Sequence, residues 1–168
     1  MADLISIGLA SIQVSAIAGD GDVGTSFAAI GKTDEGSATI TMADPTFTEF
    51  YAEEVDSPLH TAVKQGSIEV KFNLAAPDLT QLAAVFGGSV TGTGSSATWE
   101  MPDSTTGIEK SLKITPTAGL ILTFPRAQMT AKLVGGLKKT DTLKVEVTAK
   151  ILQPTKSGVK RVKTSLVA

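Results

Sequence analysis

Gly19-Asp-Gly-Asp-Val-Gly24 has the spacing of a dinucleotide-binding turn, in which glycines let backbone approach a pyrophosphate at a helix N-terminus. Two aspartates would repel phosphate there, and Thr25-Ser-Phe-Ala-Ala-Ile30 does not read as a long helix. The segment is predicted to be a plain turn. Gly31-Lys-Thr33 copies the end of a phosphate loop, but the loop's opening glycine would have to be Ser26. Phe27, Ala28, Ala29 and Ile30 would then fill the anion cradle. Asp20 and Asp22 have the spacing that opens a calcium loop, yet Gly31 stands where the closing bidentate glutamate belongs.

His60 is the single histidine and cysteine is absent, which removes paired-histidine metal sites, thiolate ligands, disulfides and thiol nucleophiles. His60, in Ser57-Pro-Leu-His60, is expected at the surface beside a turn. Glu53 and Glu54 have the chemistry for acid–base work, but their neighbours read as a solvated acidic loop. No enzyme, cofactor or metal site is expected. Lys156-Ser-Gly-Val-Lys-Arg-Val-Lys163 places four bases in eight residues, which suits phosphate contact. Phe124 is the only aromatic in the last third, so no base-stacking platform accompanies them, and no recognition helix is in view.

The elements that must carry these residues are strands. At 168 residues, with 42% hydrophobic, 19% charged and only 5% aromatic, the chain is predicted to be one packed domain rich in short strands. Ile68, Val70, Phe72 and Leu74 alternate with Glu69, Lys71 and Asn73. Leu143, Val145, Val147, Ala149 and Ile151 repeat the pattern and are expected to point inward. Weaker alternations span residues 3–9, 11–18, 37–42, 89–99, 110–115, 119–124 and 128–134, about nine strands in all. Between Ala76 and Gly88 the period changes: Leu79, Leu82, Ala83 and Phe86 lie on one helical stripe, with Pro77 early and Gly87 as the stop. The expected fold is mainly β, an antiparallel sandwich or barrel-like body with one short flanking helix at about 77–86. Asp3 stands where a signal peptide needs positive charge, and no apolar run reaches the ~18 residues of a membrane span. Neither segment is expected.

Charge is segregated. Residues 1–60 hold ten acids and one base, whereas residues 109–168 hold three acids and twelve bases. Such asymmetry either pairs within one molecule or serves head-to-tail association of copies. Residues 44–60 are predicted to be a long interaction loop. They hold Phe47, Phe50 and Tyr51, three of eight aromatics, among Glu49, Glu53, Glu54 and Asp56. Rigid rings ringed by charge are the composition of interface anchors; the alternative is that they cap the molecule's own core.

The order of these features resembles the tail tube proteins of tailed bacteriophages. It consists of the acidic proline-bounded segment 44–58, the strand Ser67–Leu74, the lone helix ending Phe86-Gly-Gly88, Leu120-Ile-Leu-Thr-Phe-Pro-Arg-Ala127, a Gly-Gly turn and the strand Leu143–Leu152. The resemblance covers roughly residues 1–155, and it rests on order more than on particular residues. It implies a single tail-tube-like domain over 1–168 with a basic C-terminal tail at about 153–168. Such a virion subunit forms hexameric rings stacked heterologously into a hollow tube, meets other tail components, and is assembled in the host bacterial cytoplasm. DNA passes through the lumen without sequence-specific binding. The interface residues expected on this reading are Phe47, Phe50, Tyr51, Glu53, Glu54 and Asp56, facing Lys156, Lys160, Arg161 and Lys163. Two alternatives stay open: the inner tube of a contractile injection machine, and a monomeric β-sandwich binding or decoration module.

Overall fold

The computed structural model describes residues 5–104, 107–139 and 141–167. The strands are β1 (Ser11–Ser15), β2 (Ala28–Ala29), β3 (Thr39–Met42), β4 (Thr46–Ala52), β5 (Val55–Lys64) and β6 (Ile68–Leu74). Helix α1 (Leu79–Phe86) follows, and then β7 (Ser89–Thr91), β8 (Thr98–Glu100), β9 (Ile108–Thr115), β10 (Leu120–Val134), β11 (Lys144–Ile151) and β12 (Lys163–Leu166). One antiparallel sheet runs β2-β1-β9-β10-β11-β6-β3, with β12 added to β10. The expected class, mainly β with antiparallel strands and one helix, is the class observed.

Residues 28–34 tie the flanks of this sheet together. Ala29 pairs with Gln13 of β1, and the Ile30 amide donates to the Ile12 carbonyl at 3.1 Å. A few residues on, Thr33 bridges Leu74 of β6 and the Asp34 amide donates to the Asn73 carbonyl at 2.7 Å. The sheet therefore wraps around one core, with residues 28–34 linking β1 to the end of β6 while β2 and β3 remain its terminal strands. Alternation decides what fills that core. Ile68, Val70, Phe72 and Leu74 are buried, as are Val145, Val147, Ala149 and Ile151 on the neighbouring strand. Each of these Val, Leu, Ile and Phe side chains contributes about 1.5–3 kcal/mol when fully removed from water. Leu143, expected to point inward with them, is 42% exposed because β11 begins only at Lys144.

The helix starts at Leu79, two residues later than the expected 77. Asp78 is the N-cap: its carboxylate accepts from the Gln81 amide at 2.7 Å, and the Gln81 side chain accepts from the Asp78 amide at 3.2 Å. That reciprocal capping leaves Pro77 outside the helix. Val85 is the buried helical residue, with Leu82 and Phe86 partly buried beside it, so the packed face is rotated from the Leu79 stripe. Phe86 lies 5.5 Å from the Trp99 ring, and the Trp99 indole donates to the Gly87 carbonyl at 2.9 Å. Residues 89–99 form two short strands around a turn, not one strand, since Gly92 and Gly94 take positive φ between them. The 3–9 alternation makes only an isolated bridge at Ile7, and its residues 3 and 4 lie outside the described residues.

The runs 119–124 and 128–134 are one fifteen-residue strand, β10, with a register shift at Pro125-Arg126. Proline has no N–H for a ladder and belongs at such a bulge. Two groups fasten the break. Arg126 makes a bidentate pair with Glu109 at 2.8 and 2.9 Å. Fully buried Ser111 donates to the Pro125 carbonyl at 2.7 Å and accepts from the Gly24 amide at 2.9 Å. Gly24 admits no side chain, because a Cβ would lie 2.1 Å from the Ala16 carbonyl oxygen. Ser111→Ala strands both backbone groups in a dry site, so chemical denaturation is expected to show a loss of about 1–3 kcal/mol. An unchanged midpoint would mean that water replaces the hydroxyl.

Candidate interaction surface

The segment 44–60 is not a loop. Its residues enter a β-hairpin, β4 paired with β5, which forms a two-stranded sheet of its own. Threonine, valine and aromatic side chains suit a pleated strand better than a coil, and Glu53-Glu54 supplies the turn. The hairpin's roots close where the Ala43 amide donates to the Ser67 carbonyl at 2.9 Å. Gly66 is required there, since a Cβ would sit 1.8 Å from the Ala43 oxygen. Pairing is regular from Thr46–Lys64 to Phe50–His60, and then jumps to Ala52–Val55. Asp56, Ser57, Pro58 and Leu59 thus stand opposite the single residue Tyr51. Pro58 again marks the place where the ladder breaks.

Every residue of β4 and β5 is exposed except Ala52, which is intermediate. Phe47, Phe50 and Tyr51 are 60%, 53% and 58% exposed, so they do not cap the core. Paired residues share a face of a ladder. Phe47 therefore lies beside Val63, with Glu49 and Thr61 next on the same side. Tyr51 joins that face through a short hydrogen bond from its hydroxyl to Glu49, which pushes the hydroxyl pKa upward. Phe50 lies on the opposite face, stacked over His60 with ring centroids 6.1 Å apart. The three aromatics expected to act together are split two to one by the pleat. Among the described residues, no ion pair engages Glu49, Glu53, Glu54 or Asp56.

The basic tail is placed differently from expectation. Lys156 donates to Asp20 at 2.7 Å and to Asp22 at 2.9 Å, and Lys163 reaches Asp22 at 3.2 Å. Arg161 donates to the Gln65 side chain and, at 3.5 Å, to the Gly66 carbonyl at the hairpin root. Lys160 alone of the four is exposed and makes no side-chain hydrogen bond or ion pair among the described residues. Three of the four bases assigned to a partner are satisfied within the molecule. The tail also carries β12, antiparallel to Leu120–Thr123 of β10, which its polar sequence did not signal. Asp34, from the acidic first third, likewise binds Lys144 at 2.7 Å.

The sequence's phosphate and calcium lookalikes have structural occupations. Asp20 and Asp22 form the turn and bind the tail; Lys32 sits on the segment that links β1 to β6. A concavity of about 940 Å³ opens between residues 6–11 and 29–40, and its charged lining is Lys32, Asp34 and Glu35, of which Asp34 is already paired. Among the described residues, no group of three or more histidine or carboxylate side chains converges as metal ligands do, and no helix is long and apolar enough to cross a membrane. The chain matches no family model and no curated protein.

The clasp of the tail has a definite pH window. Hydrogen bonds from Lys156 hold the Asp20 and Asp22 carboxyls below their ordinary 3.8, and they raise Lys156 above 10.5. Depressed carboxyls contribute fully above the ordinary value and lose that contribution as pH falls through the lowered one. A raised lysine contributes fully below its ordinary value and loses it as pH rises through the higher one. Amide resonances of residues 163–166 are therefore expected to move toward random-coil positions at acidic pH below 3.8, while those of β11 stay. Lys156→Met should give the same movement at neutral pH. Tail resonances indifferent to both changes would assign the docking to β12 pairing alone.

Proposed function

We propose that this protein is a structural subunit that assembles with copies of itself into rings and a hollow tube, as the resemblance to phage tail tube proteins implies. Hexameric rings stacked head to tail, carried in a virion tail and conducting DNA without reading it, are the form this reading takes. The observation that carries it is the free-standing hairpin. A two-stranded hairpin is marginal by itself in water, yet this one exposes Phe47, Tyr51, Leu59 and Val63 with acids around them. Large exposed apolar patches rimmed by charge mark surfaces that meet a partner. A hairpin on one side of a subunit and its receptor elsewhere make a heterologous contact, which propagates into rings or filaments.

Charge enters this reading more narrowly than the sequence totals suggest. Asp20, Asp22 and Asp34 are paired inside the molecule, whereas Glu49, Glu53, Glu54 and Asp56 of the hairpin make no ion pair among the described residues and are available to a partner. An exposed ion pair contributes only about 0.2–1 kcal/mol. Affinity falls to the rings, and orientation to the acids.

Concentrated protein examined by electron microscopy is expected to show rings and tubes; dispersed monomers at every concentration would overturn the reading. Phe47→Ala with Tyr51→Ala is expected to abolish tubes while circular dichroism and thermal midpoint stay at wild type, since neither ring touches the core. Phe50→Ala, on the other face, should weaken assembly less. Normal tubes from the first pair would remove the hairpin from the contact.

A further inference from the structure

We infer that the hairpin's receptor on a second copy of this chain is the cleft between the end of α1 and β10, together with the basic β10–β11 turn. The inference rests on the proposed self-assembly and deepens it by naming the second surface. The cleft holds about 300 Å³ and is walled by Val85, Phe86, Met101, Pro102 and Leu133. Its mouth is apolar on an outer surface, for Met101 is 49% and Leu133 46% exposed. Beyond Leu133 the strand runs into the turn Gly135-Gly-Leu-Lys-Lys139, where Leu137 is 89% exposed.

Charge selects the occupant. Lys138 and Lys139 stand on that turn with no ion pair among the described residues. The nearby acid, Asp141, is turned to the backbone, accepting from the Gly136 amide at 3.0 Å and from Thr142 at 2.9 Å. Lys132 adds a third base at the cleft, bound to Glu146 at 2.8 Å but 65% exposed. An apolar slot beside outward lysines needs an apolar wedge carrying acids. The hairpin is that wedge, with Phe47, Tyr51 and Val63 on one face and Glu53, Glu54 and Asp56 at and beside its turn. Neither surface satisfies itself among the described residues: β4 and β5 pair with each other, and the turn lysines make no ion pair. Complementary surfaces on different parts of one chain give an open, head-to-tail contact.

The test is charge exchange, scored by sedimentation and microscopy. Lys138→Glu with Lys139→Glu, and separately Glu53→Lys with Glu54→Lys and Asp56→Lys, should each raise the concentration needed for assembly about tenfold or more. Combining both sets in one chain should restore assembly to near wild type, because the reversed charges again face their opposites. A second readout exploits the absence of cysteine. Glu54→Cys protein mixed with Lys139→Cys protein should give a heterodimer with a short bismaleimide, more than either protein gives alone.

The outcomes separate the two readings. If Lys138→Glu with Lys139→Glu assembles normally while Phe47→Ala with Tyr51→Ala does not, the hairpin is the joint and the cleft is not its receptor. Failure of the combined charge exchange to recover, or equal self-crosslinking of the two cysteine variants, overturns the receptor as well. Wild-type protein that stays monomeric overturns both.

Discussion

The break in β10 at Pro125-Arg126 is the constraint on which the remaining architecture depends. A fifteen-residue strand crossing the middle of a wrapped sheet cannot stay straight, because its neighbours turn with the twist of the sheet. The extra residue lets it bend, and the bend divides its edge between two partners: β12 along Leu120–Thr123 and β11 along Ala127–Val134. Ser111 stabilises the break from the neighbouring strand and, through Gly24, fixes the turn that carries Asp20 and Asp22. Those aspartates hold Lys156 and Lys163, which position β12 on the vacated edge. Strand bend, turn and tail are thus one connected arrangement.

That arrangement explains which charges remain outward. The separation of acids and bases along the chain looked like material for association between copies, and part of it is spent joining the two ends of one copy. Asp20, Asp22 and Asp34 bind bases from the last third of the chain. The hairpin, a two-stranded sheet of its own, takes no part in this pairing among the described residues. Its acids make no ion pair among the described residues.

Where one residue in two faced the core, the strand was legible in the sequence: β6 and β11 lie where the alternation puts them, and the helix lies within two residues of its stripe. The failures have a common cause. β4, β5 and β12 bury almost nothing, so no inward face stamps a period on them, and their strand character rests on pairing alone. The signals available were β-branched residues at Thr61 and Val63 and the Thr46-Phe-Thr48 alternation, which charged neighbours masked. The bulge was equally hidden, because Pro125 looked like the end of a strand when it is the bend in one. Internal ion pairs such as Lys156 with Asp20 join residues far apart in sequence, and local patterning carries no trace of them.

A free-standing hairpin with aromatic rings is also a hazard, since its outer edges offer unpaired backbone groups to any extended chain. Here the ladder is interrupted at Tyr51, where Asp56 to Leu59 bulge away and Pro58 offers no donor. Acids flank the rings at Glu49, Glu53, Glu54 and Asp56. Like charges resist hairpin-to-hairpin stacking, and the bulge spoils strand addition along the edge. The same features therefore disfavour the simplest partner in the proposed assembly, a second hairpin. What remains compatible is an apolar recess bordered by bases, a contact between unlike surfaces. In the proposed assembly, selectivity of that kind directs growth along one axis and keeps an exposed aromatic face from indiscriminate association.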